Sequence, residues 1–221
     1  MEIAALYDVH GNLPALKAVL ADVPADAAIV VGGDVAADPF THETLERLRA
    51  LGDRVHWLRG NADRELTPGE EDLAPWEMLE WVRGRLSEEE IAFLHGLPPT
   101  VQLGRTLFCH ATPKNDVDIF TDQTPEERIA PHFAGVDADL VVCGHTHIQF
   151  ERTIAGVRVV NAGSVGMAYE EEPGAYWLLL APEVEWRRSP YELDVGEWPG
   201  EWPAASRSEA TAYFESLAVG R

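Results

Sequence analysis

Aspartate, asparagine and histidine recur in this sequence just after short apolar runs, in combinations that suit metal ions. Asp8-Val9-His10 follows Ile3–Tyr7, Gly33-Asp34 follows Ala27–Val31, and Gly60-Asn61 follows Val55–Leu58. His110 follows Leu107–Cys109, and Gly144-His145-Thr146-His147 follows Leu140–Cys143. Each piece alone has an ordinary reading. Asp8 and His10 would be a turn residue and a surface histidine, Gly-Asp and Gly-Asn would be turns that use positive φ, and His110 would be a buried, hydrogen-bonded ring. The pair His145 and His147 is more specific, because alternate residues of an extended segment share one side. Five such strand ends in one chain point to a metal site. The donors are oxygen and nitrogen without thiolate, which suits Mn²⁺, Fe²⁺, Co²⁺, Ni²⁺ or Zn²⁺. Two such ions about 3.5–4 Å apart, joined by a carboxylate, clamp a phosphoryl group and lower the pKa of a bridging water toward neutrality. The nucleophile is then a hydroxide, and no serine or cysteine is required.

The elements that position these residues alternate along the first half of the chain. Ile3–Tyr7 reads as a strand, Leu13–Leu20 as a helix capped by Asn12 with Pro14 in its first turn, and Ala27–Val31 as a strand. Thr41–Leu51 is a helix with Leu45, Leu48 and Leu51 on one face and Gly52 past its end, and Val55–Leu58 a strand. This order implies a parallel sheet with helices on its faces, and ligands bind at the C-terminal edge of such sheets. Two helical stretches follow: Leu73–Gly84, whose Trp/Met face is core, a dimer contact or a lid, and Ser87–Leu94, opened by a Ser87/Glu90 capping box. Strands resume at Val101–Leu103, Thr106–Cys109, Leu140–Cys143, Gln149–Ile154, Val157–Val160, Ala175–Leu180 and Val184–Trp186, with a hairpin signal at Ala155-Gly156. A C-terminal helix is expected over Ser206–Leu217. So many strands with few crossover helices suggest two sheets packed face to face, helices outside. The 221 residues suffice for one α/β domain spanning residues 1–221.

The formal net charge of −21 argues against a grip on long nucleic acid and for a small substrate met through bound cations. No apolar run approaches the roughly 20 residues that span a bilayer. Glu2 and Asp8 break any signal-peptide pattern, so a cytoplasmic location is expected. Cys109 and Cys143 each close an apolar run and read as reduced core residues.

The ordered set Asp8-x-His10, Gly33-Asp34, Gly60-Asn61, His110 and Gly144-His145-x-His147 resembles the calcineurin-like metallophosphoesterase family. The segment Asn161-Ala162-Gly163-Ser164-Val165-Gly166 resembles a further stretch in that family's small bacterial phosphodiesterases. The resemblance implies a four-layer sandwich of two mixed β-sheets flanked by helices. It implies that Asp8, His10 and His147 hold a first divalent ion, that Asn61, His110 and His145 hold a second, and that Asp34 bridges them. Asp34, Asn61 and His110 would then serve catalysis directly, with manganese the favoured metal. The expected reaction is hydrolysis of a small phosphoester, diesters before monoesters, by the metal-bridging hydroxide. A phosphatase acting on nucleotides, dinucleoside polyphosphates or phosphoproteins would share the same centre, and a binding scaffold on this fold is the alternative from another class. A homo-oligomer is left open. One departure stands out: many relatives carry a histidine after the Asn of Gly-Asn, where this chain has Ala62. Arg59, Arg64, Asn12, Gly163, Ser164 and the loop Ala111–Pro125 are secondary candidates for the pocket, and His42, His56, His95 and His132 fall outside the pattern.

Overall fold

The computed structural model describes residues 2–36, 40–67, 76–192 and 205–219. Its first sheet contains β1 (Ile3–Leu6), β2 (Ala28–Val31) and β3 (Val55–Trp57), joined through α1 (Leu13–Asp22) and α2 (Thr41–Arg49). β1 pairs parallel with β2, and β2 with β3. Two late strands complete this sheet, β9 (Ala175–Ala181) antiparallel to β1 and β10 (Glu183–Ser189) antiparallel to β9, giving the order β10-β9-β1-β2-β3. The second sheet is built from β4 (Thr100–Leu103), β5 (Thr106–Cys109), β6 (Leu140–Cys143), β7 (Gln149–Ile154) and β8 (Val157–Ala162), in the order β4-β5-β6-β8-β7. β5, β6 and β8 run parallel, and β4 and β7 flank them antiparallel. Both sheets are therefore mixed.

Side chains alternate across a strand, and here that alternation sorts the core into layers. Ile3, Ala5 and Tyr7 point to the second sheet and meet Phe108, Val142 and Val160. Ala4 and Leu6 point the other way, into the cluster with Leu16 and Val19 of α1 and Leu45 and Leu48 of α2. On the far side of the second sheet, Cys109, Val141 and Cys143 pack against Ile129 and Phe133 of α6 (Glu126–Phe133). The layers run helix, sheet, sheet, helix. Both faces of the central strands are covered, which is why they read as continuous apolar runs rather than alternating ones.

The expected local signals are present. Asn12 caps α1 by accepting from the N–H of Ala15 at 3.1 Å. Ser87 and Glu90 form a capping box on α5 (Glu88–His95), and Ser206 and Glu209 form another on α7 (Arg207–Leu217). Ala155 and Gly156 take φ of 50° and 83°, the left-handed pair that a two-residue hairpin of this hand demands. The helix expected from Leu73 is α4 (Trp76–Arg83), with Leu73 outside the described residues. Val82 lies in the first core cluster and Trp81 packs against it, so this part of the helix serves as core. Two α-helices were not expected. α3 (Asn61–Glu65) is too short to show a period, and α6 carries Pro131 within it. The segment after His110 is anchored rather than draped: Arg64 Nε donates to Asp116 at 3.0 Å and Thr121 Oγ1 donates to Glu215 of α7 at 2.8 Å. Among the described residues no helix is long and apolar enough to cross a membrane.

Candidate metal centre

The strand ends converge. β1, β2 and β3 deliver Asp8, His10, Asp34 and Asn61, while β5 and β6 of the facing sheet deliver His110, His145 and His147. The backbone at these turns is unusual. Among the described residues six non-glycine positions have positive φ, and five of them are Asp8 (51°), His10 (48°), Asp34 (51°), His145 (70°) and His147 (57°). The left-handed region costs an L-residue roughly 1–2 kcal/mol and persists only where surrounding bonds impose it. Those bonds are present. His10 N donates to Asp34 O at 2.9 Å and Tyr169 N donates to His147 O at 3.1 Å. Asp8 O accepts from Ser164 Oγ at 2.7 Å and from Gly166 N at 3.0 Å. His145 N donates to Asp8 Oδ2 at 2.9 Å.

The donor atoms form two groups. Asp8, His10 and His147 each offer an atom within 4.8 Å of the others, as do Asp34, His110 and His145. In the first group His10 Nε2 lies 3.2 Å from His147 Nε2, and His147 Nε2 lies 3.3 Å from Asp8 Oδ1. In the second, His110 Nε2 lies 3.2 Å from His145 Nδ1, 3.2 Å from Asn61 Oδ1 and 3.4 Å from Asp34 Oδ2. Ligands about 2.0–2.2 Å from one ion stand roughly 3.0–3.5 Å from each other, so these spacings match the edges of coordination shells. Asp34 Oδ2 also lies 3.9 Å from His10 Nε2, which puts it between the groups. Asp8 Oδ1 is buried with no hydrogen-bond partner. An orphaned carboxylate oxygen in a dry site is costly unless a cation meets it. The donor set fits a pair of divalent ions.

Neighbours aim the donors. His110 Nδ1 donates to Gly32 O at 2.9 Å and His147 Nδ1 to Met167 O at 2.9 Å. A carbonyl only accepts, so each Nδ1 carries the proton and each Nε2 presents a lone pair to the centre. Ala62 N donates to Asp34 Oδ1 at 2.8 Å, which leaves Oδ2 facing inward. Asn61 Nδ2 donates to Glu65 Oε1 at 3.1 Å and turns Oδ1 toward His110. Asp63 accepts from the N–H groups of Asp34, Val35 and Gly60 at 2.8, 3.0 and 3.0 Å, tying the end of β2 to the start of α3. Gly60 and Gly144 are needed for close approach: a Cβ would sit 2.1 Å from Asp34 Oδ1 at the first and 2.4 Å from Asp8 Oδ2 at the second. The expectation of positive φ at Gly60-Asn61 does not hold, since Gly60 has φ −94° and Asn61 starts a helix.

The electrostatics describe protons competing for the same seats. Burial disfavours the Asp34 anion, but His110, His10 and His145 outweigh it and hold the carboxyl well below its usual range. Burial likewise disfavours charge on His110, yet Asp34 and Asp8 push its pKa up to about 10. Burial and neighbouring His110 push His145 down to about 4. A divalent ion takes the place of such protons when it binds. Asp63 is raised to about 6 by burial and by Asp34, against the pull of its backbone donors.

The secondary candidates resolve into support. Arg59 Nη1 donates to His95 O at 2.9 Å, away from the donor groups. Asn12 caps α1 and donates to Gly166 O at 2.9 Å. Ser164 clamps Asp8 O, and Gly163 makes the turn before it at φ 75°. His42 pairs with Glu90 at 2.7 Å, His132 pairs with Asp118, His56 is half-buried in β3 and His95 is exposed. Cys109 and Cys143 are buried free thiols, their pKa values raised by that burial. Asp63 and Glu65 were missed from sequence. The spacing of Asn61 and Glu65, one helical turn, was the available signal.

Comparison with known proteins agrees with this geometry. The uncharacterized protein MJ0912 of Methanocaldococcus jannaschii is 29% identical, over 74% of this chain and 69% of its own. A metallophosphoesterase from Sphaerobacter thermophilus has the same fold, with a TM-score of 0.72 at 24% identity over 87% of this chain and 90% of that one. The hypothetical protein PH1004 from Pyrococcus horikoshii OT3 gives a TM-score of 0.74 at 20% identity, covering 86% and 88%. Residues 1–182 match the model of the calcineurin-like phosphoesterase superfamily domain, and the chain belongs to that superfamily.

Proposed function

We propose that this protein, acting as one domain on a small cytoplasmic substrate, is a phosphoesterase that uses two divalent ions and favours phosphodiesters. The observation that carries the reading is the position of Asp34 Oδ2 between two donor groups, 3.4 Å from His110 and 3.9 Å from His10. Asp8, His10 and His147 would hold one ion, Asn61, His110 and His145 the other, with Asp34 shared. The ions, when bound, supply the charge that activates a water toward phosphorus and offsets charge developing on the phosphoryl oxygens. The chain's own part is preorganisation. Gly32 O and Met167 O fix the His110 and His147 tautomers, Glu65 aims Asn61, and Ala62 N fixes one Asp34 oxygen.

Two features support diesters over monoesters. Ala62 has no proton to give a leaving oxygen, and the cations on either side of it are engaged, Arg59 with His95 O and Arg64 with Asp116. A dianionic monoester also meets a chain of net charge −21 with more repulsion than a monoanionic diester. The test is a panel of diester, monoester, cyclic nucleotide and dinucleotide with Mn²⁺, Fe²⁺, Co²⁺, Ni²⁺ or Zn²⁺ added to chelator-treated protein. The expected result is activity restored by metal, Mn²⁺ foremost, with kcat/KM highest on diesters. Full activity after verified removal of metal overturns the reading.

A further inference from the structure

Beside the centre lies a second feature that the reaction above does not use. A cavity of about 250 Å³ is lined by Tyr169, Ala205, Glu209, Ala210, Tyr213 and Phe214. Tyr169 is common to both places: its ring stacks on His147 at 5.5 Å and 12°, and Phe214 meets its edge at 6.0 Å. Tyr213 continues the series against Phe214 at 5.6 Å and is 61% exposed. Phe214 is half-buried against Tyr169, while Tyr213 extends the row of rings outward to solvent. Helix α7 is docked by polar contacts as well as by its buried Ala210: Arg207 donates to Gln149 O at 2.8 Å and pairs with Glu170, while Glu215 holds Thr121.

We infer that this cavity is a subsite for a planar aromatic group, a nucleobase or an aryl ring, carried by the phosphoester whose phosphate sits at the metal centre. The assignment rests on the proposed function and names its substrate class. Three observations support it. The cavity shares the Tyr169 wall with His147, so a group in it is one ring away from a metal-binding side chain. Its volume falls below the roughly 300–1,000 Å³ of a complete ligand site, which suits one part of a substrate. Its lining is ring faces and edges left open by Ala205 and Ala210, and aromatic rings stack on such surfaces whatever their exact identity. Glu209 is among the lining residues, and its carboxylate, held by Ser206 N and Oγ at 3.0 and 2.6 Å, adds a negative charge nearby that disfavours a second phosphate relative to a neutral ring.

The test uses three diesters with one leaving group, p-nitrophenolate, and differing in the other substituent: methyl, p-nitrophenyl or thymidinyl. With Mn²⁺-loaded protein, KM for the ring-bearing esters is expected to lie roughly 5–30-fold below that of the methyl ester, with similar kcat. A gain for both rings means general aromatic recognition, and a gain for thymidinyl alone means a nucleobase site. Tyr213→Ala and Phe214→Ala should shrink that gap, and the exposed Tyr213 can be truncated without opening the core. Equal KM values in the wild type, or a gap that survives the double variant, overturn the subsite. If none of the three esters is turned over, the hydrolytic reading fails instead. Calorimetry then decides the subsite alone: tighter binding of adenosine monophosphate than of ribose 5-phosphate, lost in Phe214→Ala, supports it, and equal binding overturns it.

Discussion

The two sheets contribute unlike halves of the metal centre. The first supplies every oxygen donor, Asp8, Asp34 and Asn61, together with His10; the second supplies only imidazoles, His110, His145 and His147. Neither half is a site by itself. The carboxylates alone would repel one another, and the rings alone would prefer protons. What sets their distance is the apolar packing between sheets, centred on Ala5, Tyr7, Phe108 and Val142, and pinned by the hydrogen bond from Tyr7 Oη to Val142 O at 2.9 Å. The metal affinity proposed for this protein would thus depend on how the sheets are packed.

The strongest way to break the comparison is to remove the one group that reaches both halves. Asp34→Asn is expected to bring metal content toward zero and activity down by more than about 10²–10³-fold, the scale of losing one oriented charge-stabilising group. His145→Ala should leave about one ion. Elemental analysis distinguishes them, and equal losses would show that Asp34 is not shared. Removing the ions themselves should loosen the sheets. At about 100 times its Kd each ion adds about 2.7 kcal/mol, so chelation is expected to lower Tm by roughly 10–20 °C. An unchanged Tm, with metal loss verified, would mean that the sheets hold together without help from the ligands. A smaller effect should come from Glu65→Leu, which frees the Asn61 side chain without touching a donor. Metal affinity at the Asn61 side should weaken about 10–100-fold, seen by titration, while the Asp8 side is unaffected.

Ala62→His sharpens the comparison at the level of substrate. A general acid at this place is worth up to about 10²–10⁴-fold for an alkyl leaving group and little for an aryl one. The expected outcome is a rise in kcat/KM for an alkyl phosphate relative to an aryl phosphate at matched metal content. Ala62 is only 9% exposed, so a fall on both esters would mean that the pocket is closed over it. An unchanged ratio would mean that the leaving oxygen is protonated by another group.

Much of this was legible in the sequence because the relevant signals are local. Strands covered on both faces write themselves as apolar runs, and the residues after them are read directly, so all the strand ends that meet at the centre could be named in advance. The caps at Asn12, Ser87 and Ser206 and the turn at Ala155-Gly156 are equally local. The partition into sheets was not legible, since nothing in Ala175–Ala181 says that it will pair with β1 rather than with its neighbours in the second sheet. α6 was missed because Pro131 and a charged first turn hide the pair Ile129 and Phe133 that anchors it. Glu65 was missed because a glutamate in a helix is normally solvated, and only the packing of α3 shows that it is fully buried.

The late pairing of β9 with β1 bears on when the proposed ions could be bound. His10 and His147 are 137 residues apart, and β1 is completed on its open side only by residues 175–181. At about 5–20 residues per second, a growing chain carries Asp8, His10 and Asp34 for several seconds before His110, His145 and His147 exist. During that time neither proposed donor group is complete. In the proposed reading, discrimination among metals therefore waits until β6 has been made and the two sheets have packed.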